Sequence, residues 1–140
     1  MEYALRQIIG LTLWWSEGTK SRRDKRWKKA VSYPVEITNT DPAIVKIFLA
    51  FLRNDVGINE SRLKVQLQIH ADNNQKDCEE FWSKVTQIPK LRFHKTIIRP
   101  IGNKPGKTMG TCKIRYHDKK TYNIVTNGLN QLLRQLNSGV

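Results

Sequence analysis

The chain has 140 residues, the length of one domain with one core, and 39% of them are hydrophobic. Its 25 Lys and Arg face only 12 Asp and Glu, a formal charge of +13 whose self-repulsion points to a polyanionic partner, nucleic acid before any other. The longest near-apolar run, residues 8–15, is too short to cross a bilayer, and no signal-peptide pattern opens the chain, so membrane spanning is excluded and a cytoplasmic protein expected.

Residues 2–16 predict a helix that is apolar on nearly every side, through Ile8, Ile9, Leu11, Leu13, Trp14 and Trp15. Such a helix must be covered on more than one face. One cover is the sheet and the other a second subunit, with Gly10 and Thr12 small enough for a partner backbone to approach; the alternative is a central helix wrapped by its own chain. Glu17-Gly18 ends the helix, glycine standing where a left-handed turn is tolerated. A cationic run follows, Lys20, Arg22, Arg23, Lys25, Arg26, Lys28 and Lys29 against the single acid Asp24, and reads as a loop or ribbon for phosphates.

Residues 31–38 alternate Val31, Tyr33, Val35 and Ile37 with polar positions, a half-buried strand in which Pro34 marks an edge or a bulge. Asp41-Pro42 opens a helix to about residue 54, burying Ile44, Ile47, Phe48, Phe51 and Leu52. Residues 63–70 form the clearest strand, Leu63, Val65, Leu67 and Ile69 on one side, Lys64, Gln66, Gln68 and His70 on the other. Residues 74–87 predict a helix with Cys78, Phe81, Trp82 and Val85 inward, stopped by Pro89. Strands follow at 93–99, carrying Lys95 and Arg99, and at 111–117, joined by a basic, Gly-rich turn at 102–110. A helix over 119–136 closes the chain with a stripe of Tyr122, Val125, Leu129, Leu132, Leu133 and Leu136.

The outward sheet face then collects Lys64, Gln66, Gln68, His70, Lys113, Arg115 and His117, with no acid on that side of these two strands. Arg and Lys can bond guanine edges and Gln adenine, while the other cations grip phosphate, so the face is a saddle for double-stranded DNA. Cys78 and Cys112 lack zinc spacing, and a disulfide between them stays open. No Ser-His-Asp set and no nucleotide-binding Gly-Lys-Ser/Thr loop is present, and no small-molecule substrate is expected.

The stretch Gly10-Leu11-Thr12-Leu13-Trp14-Trp15-Ser16-Glu17-Gly18 resembles a diverged LAGLIDADG helix. Thr38-Asn39-Thr40-Asp41-Pro42, Phe81-Trp82, Ile88-Pro89 and Lys113-Ile114-Arg115-Tyr116 follow in the order seen in compact single-motif members of the LAGLIDADG homing-endonuclease-like group, so the resemblance covers nearly all of residues 1–140. It implies an α+β fold, a curved antiparallel sheet of about four strands with helices on one face, and a homodimer paired through the motif helix, here Ile8, Leu11, Thr12 and Trp15. It also implies a metal-dependent DNA endonuclease hydrolysing phosphodiester bonds. Glu17 would be the carboxylate that holds Mg²⁺ or another divalent cation, with the Gly18 backbone beside it. Among the basic residues that could assist, Lys113, Lys95 and Arg115 qualify by strand position, and Lys113 is taken first. The family's earlier acid is Trp15 here, and its small Ala-Gly pair is Leu11-Thr12. Relatives of this fold also serve as non-cutting DNA-binding modules, which is the alternative function; a basic RNA-binding protein is a third.

Overall fold

The computed structural model describes residues 3–18, 32–101 and 109–138. In chain order it shows α1 (Leu5–Glu17), β1 (Ile37–Asn39), α2 (Pro42–Phe51), β2 (Lys64–His70), α3 (Gln75–Thr86), β3 (Ile97–Arg99), β4 (Thr111–Arg115) and α4 (Lys119–Asn137). A π turn (Leu52–Val56) prolongs α2, and short 3-10 turns (Glu60–Arg62 and Lys90–Arg92) precede β2 and β3. The class is α+β, with four α-helices and a four-stranded sheet among the described residues.

Side-chain caps set three helix starts. The Asp41 carboxylate accepts from Ala43 N ahead of Pro42, Asn74 accepts from Asp77 N, and Asp118 accepts from Thr121 N and its hydroxyl. Helix α3 stops before Pro89 is reached, because Gln87 takes a left-handed conformation (φ 58°) and its N–H bonds Ser83 O.

The strand order is β1-β4-β2-β3. β4 pairs antiparallel with both β1 and β2, but β2 and β3 run parallel, so the sheet is mixed rather than antiparallel as expected. The reason is the intervening helix: α3 carries the chain from the end of β2 back to its beginning, and a returned chain can add only a parallel strand. The expected pairing of 93–99 with 111–117 is likewise replaced, since β2 lies between them. Only Ile97–Arg99 is strand; Phe93 ends a 3-10 turn and meets Val65 in an isolated bridge. Residues 102–108 of the expected turn lie outside the described residues.

Ile37, Val65, Leu67, Ile69, Cys112 and Ile114 point to one side of the sheet and form a single core with Leu11 and Trp14 of α1, Phe48 of α2, Trp82 of α3 and Val125 and Leu129 of α4. Within α2 the buried set is Val45, Phe48, Leu49 and Phe51, while Ile47 is exposed; in α4, Leu136 is exposed. Cys78 and Cys112 are both buried and free, so no disulfide joins them.

Among the described residues, helix α1 is covered on one face. Gly10, Leu11 and Trp14 are buried against the chain's own core, whereas Leu5, Ile8, Ile9, Thr12, Trp15 and Ser16 are exposed. Leu11, expected at a dimer interface, is only 3% exposed and belongs to the core. Gly10 serves the same intramolecular contact: a Cβ there would overlap the Phe51 ring of α2. Gly10→Ala is therefore expected to lower stability by about 1–3 kcal/mol through overpacking, despite the ~1 kcal/mol that alanine gains over glycine in a helix interior; a denaturant midpoint equal to wild type would refute this. Gly18 is extended (φ −82°), not left-handed, and is required instead by its close approach to Trp14.

Candidate nucleic-acid interface

The second face of the sheet carries the polar half of each alternating strand. Cross-strand register sets Lys64 opposite Arg115, Gln66 opposite Lys113 and Gln68 opposite Thr111, while Thr38 of β1 flanks Lys113. On the other side, parallel β3 places Ile97 beside Gln68 and Arg99 beside His70. The face thus brings together Lys64, Gln66, Gln68, His70, Arg99, Lys113 and Arg115. His117 follows just beyond β4, where Pro34 bridges to it. Lys95 is exposed at the rim, its carbonyl accepting from Gln66 Nε2 at 3.1 Å. The residues Lys20, Arg22, Arg23, Lys25, Arg26, Lys28 and Lys29 lie outside the described residues.

The face is not a plain cationic surface, because Glu36 lies under it. Glu36 is 2% exposed and is reached by His117 Nε2 at 2.6 Å, Arg115 Nε at 3.0 Å and Lys113 Nζ at 3.6 Å. Burial pushes its carboxyl upward, but hydrogen bonds from His117 and Arg115 and the charge of Lys113 outweigh that, and the net shift is below the usual carboxylate range. The alternation of residues 31–38 already puts Glu36 opposite Val35 and Ile37. A count of acids across all the strands, rather than the two long ones, would have found it.

Glu36 also sets the geometry of the cations above it. Arg115 donates from Nε to Glu36 and from Nη1 to Gln66 Oε1 at 3.1 Å, so its guanidinium is held on two sides. Gln66, with its oxygen on Arg115 and its nitrogen on the Lys95 carbonyl, is committed to the protein. Exposed Gln68 is the glutamine left to reach a base edge. Two concavities break the face. One of about 170 Å³ is lined by Thr38, Gln66, Gln68, Ile97, Thr111 and Lys113. The other, of about 400 Å³, lies at the Lys64–Arg115 end and adds Ser61, Arg62, His94 and His117. Sequence reading did not place Ser61 or Arg62 in any site, since they come from a turn rather than from strand alternation.

Glu17 is exposed at the end of α1, and Gly18 bridges to Ile37, the partner of Ile114. The helix end therefore abuts the sheet edge one strand away from Lys113. Among the described residues no three His, Cys, Asp or Glu side chains come together as a metal site. Among the described residues Glu17 has no further ligand beside it, and a single carboxylate does not fit a resident divalent cation without a second one from elsewhere.

No described helix is long and apolar enough to cross a membrane. Comparison with protein-family models, with curated proteins and with solved structures finds no match to this chain, and the LAGLIDADG resemblance rests on the residues quoted for it alone.

Proposed function

We propose that this protein binds double-stranded DNA across the polar face of its sheet. The observation that carries the reading is the cross-strand array Lys64–Arg115, Gln66–Lys113 and Gln68–Thr111 on the side of β2 and β4 that the helices leave open. β2 and β4 are the two inner strands of the sheet, about 5 Å apart, so their long side chains reach down into a major groove about 12 Å wide while β1 and β3 lie over its rims. Arg99 and Lys95 then lie on the β3 side for phosphates, Lys113 adds its charge from within the array, and Gln68 is free to reach the groove floor. Side chains cannot read the deep, narrow major groove of an RNA duplex, which favours DNA over RNA.

A salt series of duplex binding tests this. The logarithm of the association constant should fall linearly with the logarithm of salt, with a slope of about −0.9 for each phosphate contacted. The triple variant Lys95→Gln/Arg99→Gln/Lys113→Gln should flatten the slope by roughly 2 to 3. Binding that ignores salt, or an unchanged slope in the variant, would remove the proposal.

A second reading adds cutting by a homodimer, and the exposed stripe of α1 favours the dimer. Leu5, Ile8, Ile9 and Trp15 are exposed on that stripe. Thr12 and Ser16 turn their hydroxyls back onto the carbonyls of Ile8 and Thr12, at 2.7 and 2.9 Å, so the stripe makes little further polar demand. A twofold pairing of α1 would bring two Glu17 helix ends into one neighbourhood, where Mg²⁺ could be shared. At 100° per residue Glu17 stands about 140° round the helix from Thr12, off the contact line, which is why binding is placed ahead of cutting. Nicking of supercoiled DNA with Mg²⁺, present in wild type and abolished in Glu17→Gln, is the result this reading expects. Equal nicking by both, or none by either, would end it.

A further inference from the structure

We infer that the pocket at the Lys64–Arg115 end of the sheet is a discrete binding site for one phosphate group. The inference deepens the DNA-binding reading, and rests on it only for what molecule bears the phosphate.

The pocket has about 400 Å³ and is lined by Ser61, Arg62, Lys64, His94, Arg115 and His117, within the roughly 300–1,000 Å³ of small-ligand sites. Its lining contains three permanent cations, two imidazoles and a hydroxyl, and no carboxylate. The topology assembles it from four places. Ser61 and Arg62 close the turn before β2, Lys64 opens β2, and Arg115 ends β4 directly opposite. His94 is fixed alongside by its backbone N–H, which bonds Val65 O at 2.7 Å.

Two of the cations are locked before any ligand arrives. Arg62 bonds Asp118 Oδ1 at 3.1 Å and the His117 carbonyl at 2.5 Å, with its guanidinium 5.6 Å from the Tyr116 ring centre. Arg115 is held by Glu36 and Gln66. Lys64 has no hydrogen bond or ion pair to a carboxylate among the described residues, so its ammonium is the uncompensated charge. The two acids that touch the set do not cancel it. Asp118 also caps α4, and Glu36 is shared with Lys113 and His117. Pre-ordered guanidinium groups beside one unpaired ammonium make the arrangement that phosphate oxygens favour, because the ordering cost is met in the folded chain.

His94 reports the field inside the pocket. Its imidazole is pushed below its ordinary value, first by burial and then by Arg115 and Lys64, with His117 acting the same way and Glu36 opposing. A bound phosphate supplies the missing negative charge, so it must raise the His94 pKa.

The test follows the His94 ring by NMR through a pH titration of the whole protein, in sodium phosphate and in sodium chloride of equal ionic strength. Phosphate is expected to raise the His94 pKa by roughly 0.5–1 unit relative to chloride, saturably. In Lys64→Gln the apparent phosphate affinity should drop about tenfold, a charge-assisted contact being worth roughly 1.5 kcal/mol. Identical titrations in the two salts, or full phosphate affinity in Lys64→Gln, would overturn the site. Adding duplex DNA separates the bearers. If DNA reproduces the His94 shift and displaces phosphate, the group is a backbone phosphodiester. If phosphate binds and DNA does not compete, the site stands with a free phosphate compound as its ligand, and the DNA-binding reading fails at this end of the face.

Discussion

Glu36→Gln is expected to bind duplex DNA several-fold more tightly than wild type while losing about 1–3 kcal/mol of stability. Both effects come from one carboxylate, 2% exposed, that three basic side chains share. Removing its charge leaves Lys113 and Arg115 as like charges on one strand, with Lys64 opposite Arg115. Loss of one partner from a fully buried ion pair costs roughly 3–5 kcal/mol. Here the basic partners are 27–47% exposed, and water offsets part of that loss. The same charge now repels phosphate less, so the open face gains in affinity what the fold gives up. The pH dependence has a definite sign. Because the folded-state carboxyl is depressed, its contribution is present above the unfolded value of about 4.3 and is lost as pH falls through the folded value. The stability gap between wild type and Glu36→Gln should therefore be full at pH 7 and narrow below about pH 4. Urea unfolding at both pH values measures it. A variant as stable as wild type at pH 7, or a gap that persists at low pH, would show that Glu36 does not hold this face together.

How much of this site was readable in the sequence depends on the distance over which its parts meet. The period-two alternation of Leu63 through His70 fixes which side chains face the core and which face outward, and β2 carries that pattern in full. Asp41-Pro42 likewise announces α2 within a few residues. Strand partnership is different, because nothing local in residues 93–99 says that their neighbour is β2 and that it runs parallel. Adjacency in the chain favours a hairpin with 111–117, and the crossover through α3 defeats that reading. The side on which Glu36 lies was legible in the alternation of residues 31–38, but its partners were not. It meets Arg115 and His117 across about eighty residues of chain, through the pairing of Ile37 with Ile114 and the bridge of Pro34 to His117. In α1 the composition showed that two covers are needed but not which parts of the molecule supply them. Apolar residues on all sides imply two covers; among the described residues one is provided, by the core, and Leu5, Ile8, Ile9 and Trp15 are exposed.

That second, exposed face gives the remaining large effect. Ile8→Glu is expected to weaken self-association at least a hundredfold, about 3 kcal/mol, and to reduce the stoichiometry on duplex DNA from two chains to one. From Leu5 to Ser16 the stripe is about 17 Å long at 1.5 Å per residue, too short alone for the ~800 Å² per partner of a standard interface. The free dimer should accordingly be weak and the DNA-bound one stronger, because both copies are then held on one duplex. A twofold axis makes the contact isologous, so one substitution places two carboxylates near each other in an apolar seam. Ile8 is exposed, whereas Leu11 and Trp14 belong to the core, so its replacement disturbs the fold less than any change at either of them. Sedimentation of wild type, Ile8→Glu and an α4 surface control, Asn130→Glu, with and without duplex, reads the outcome. If wild type is a monomer in both states the stripe is no dimer face, and a cutting site built from two Glu17 residues falls with it. DNA binding by the sheet would survive that result, since each of its contacts comes from a single chain.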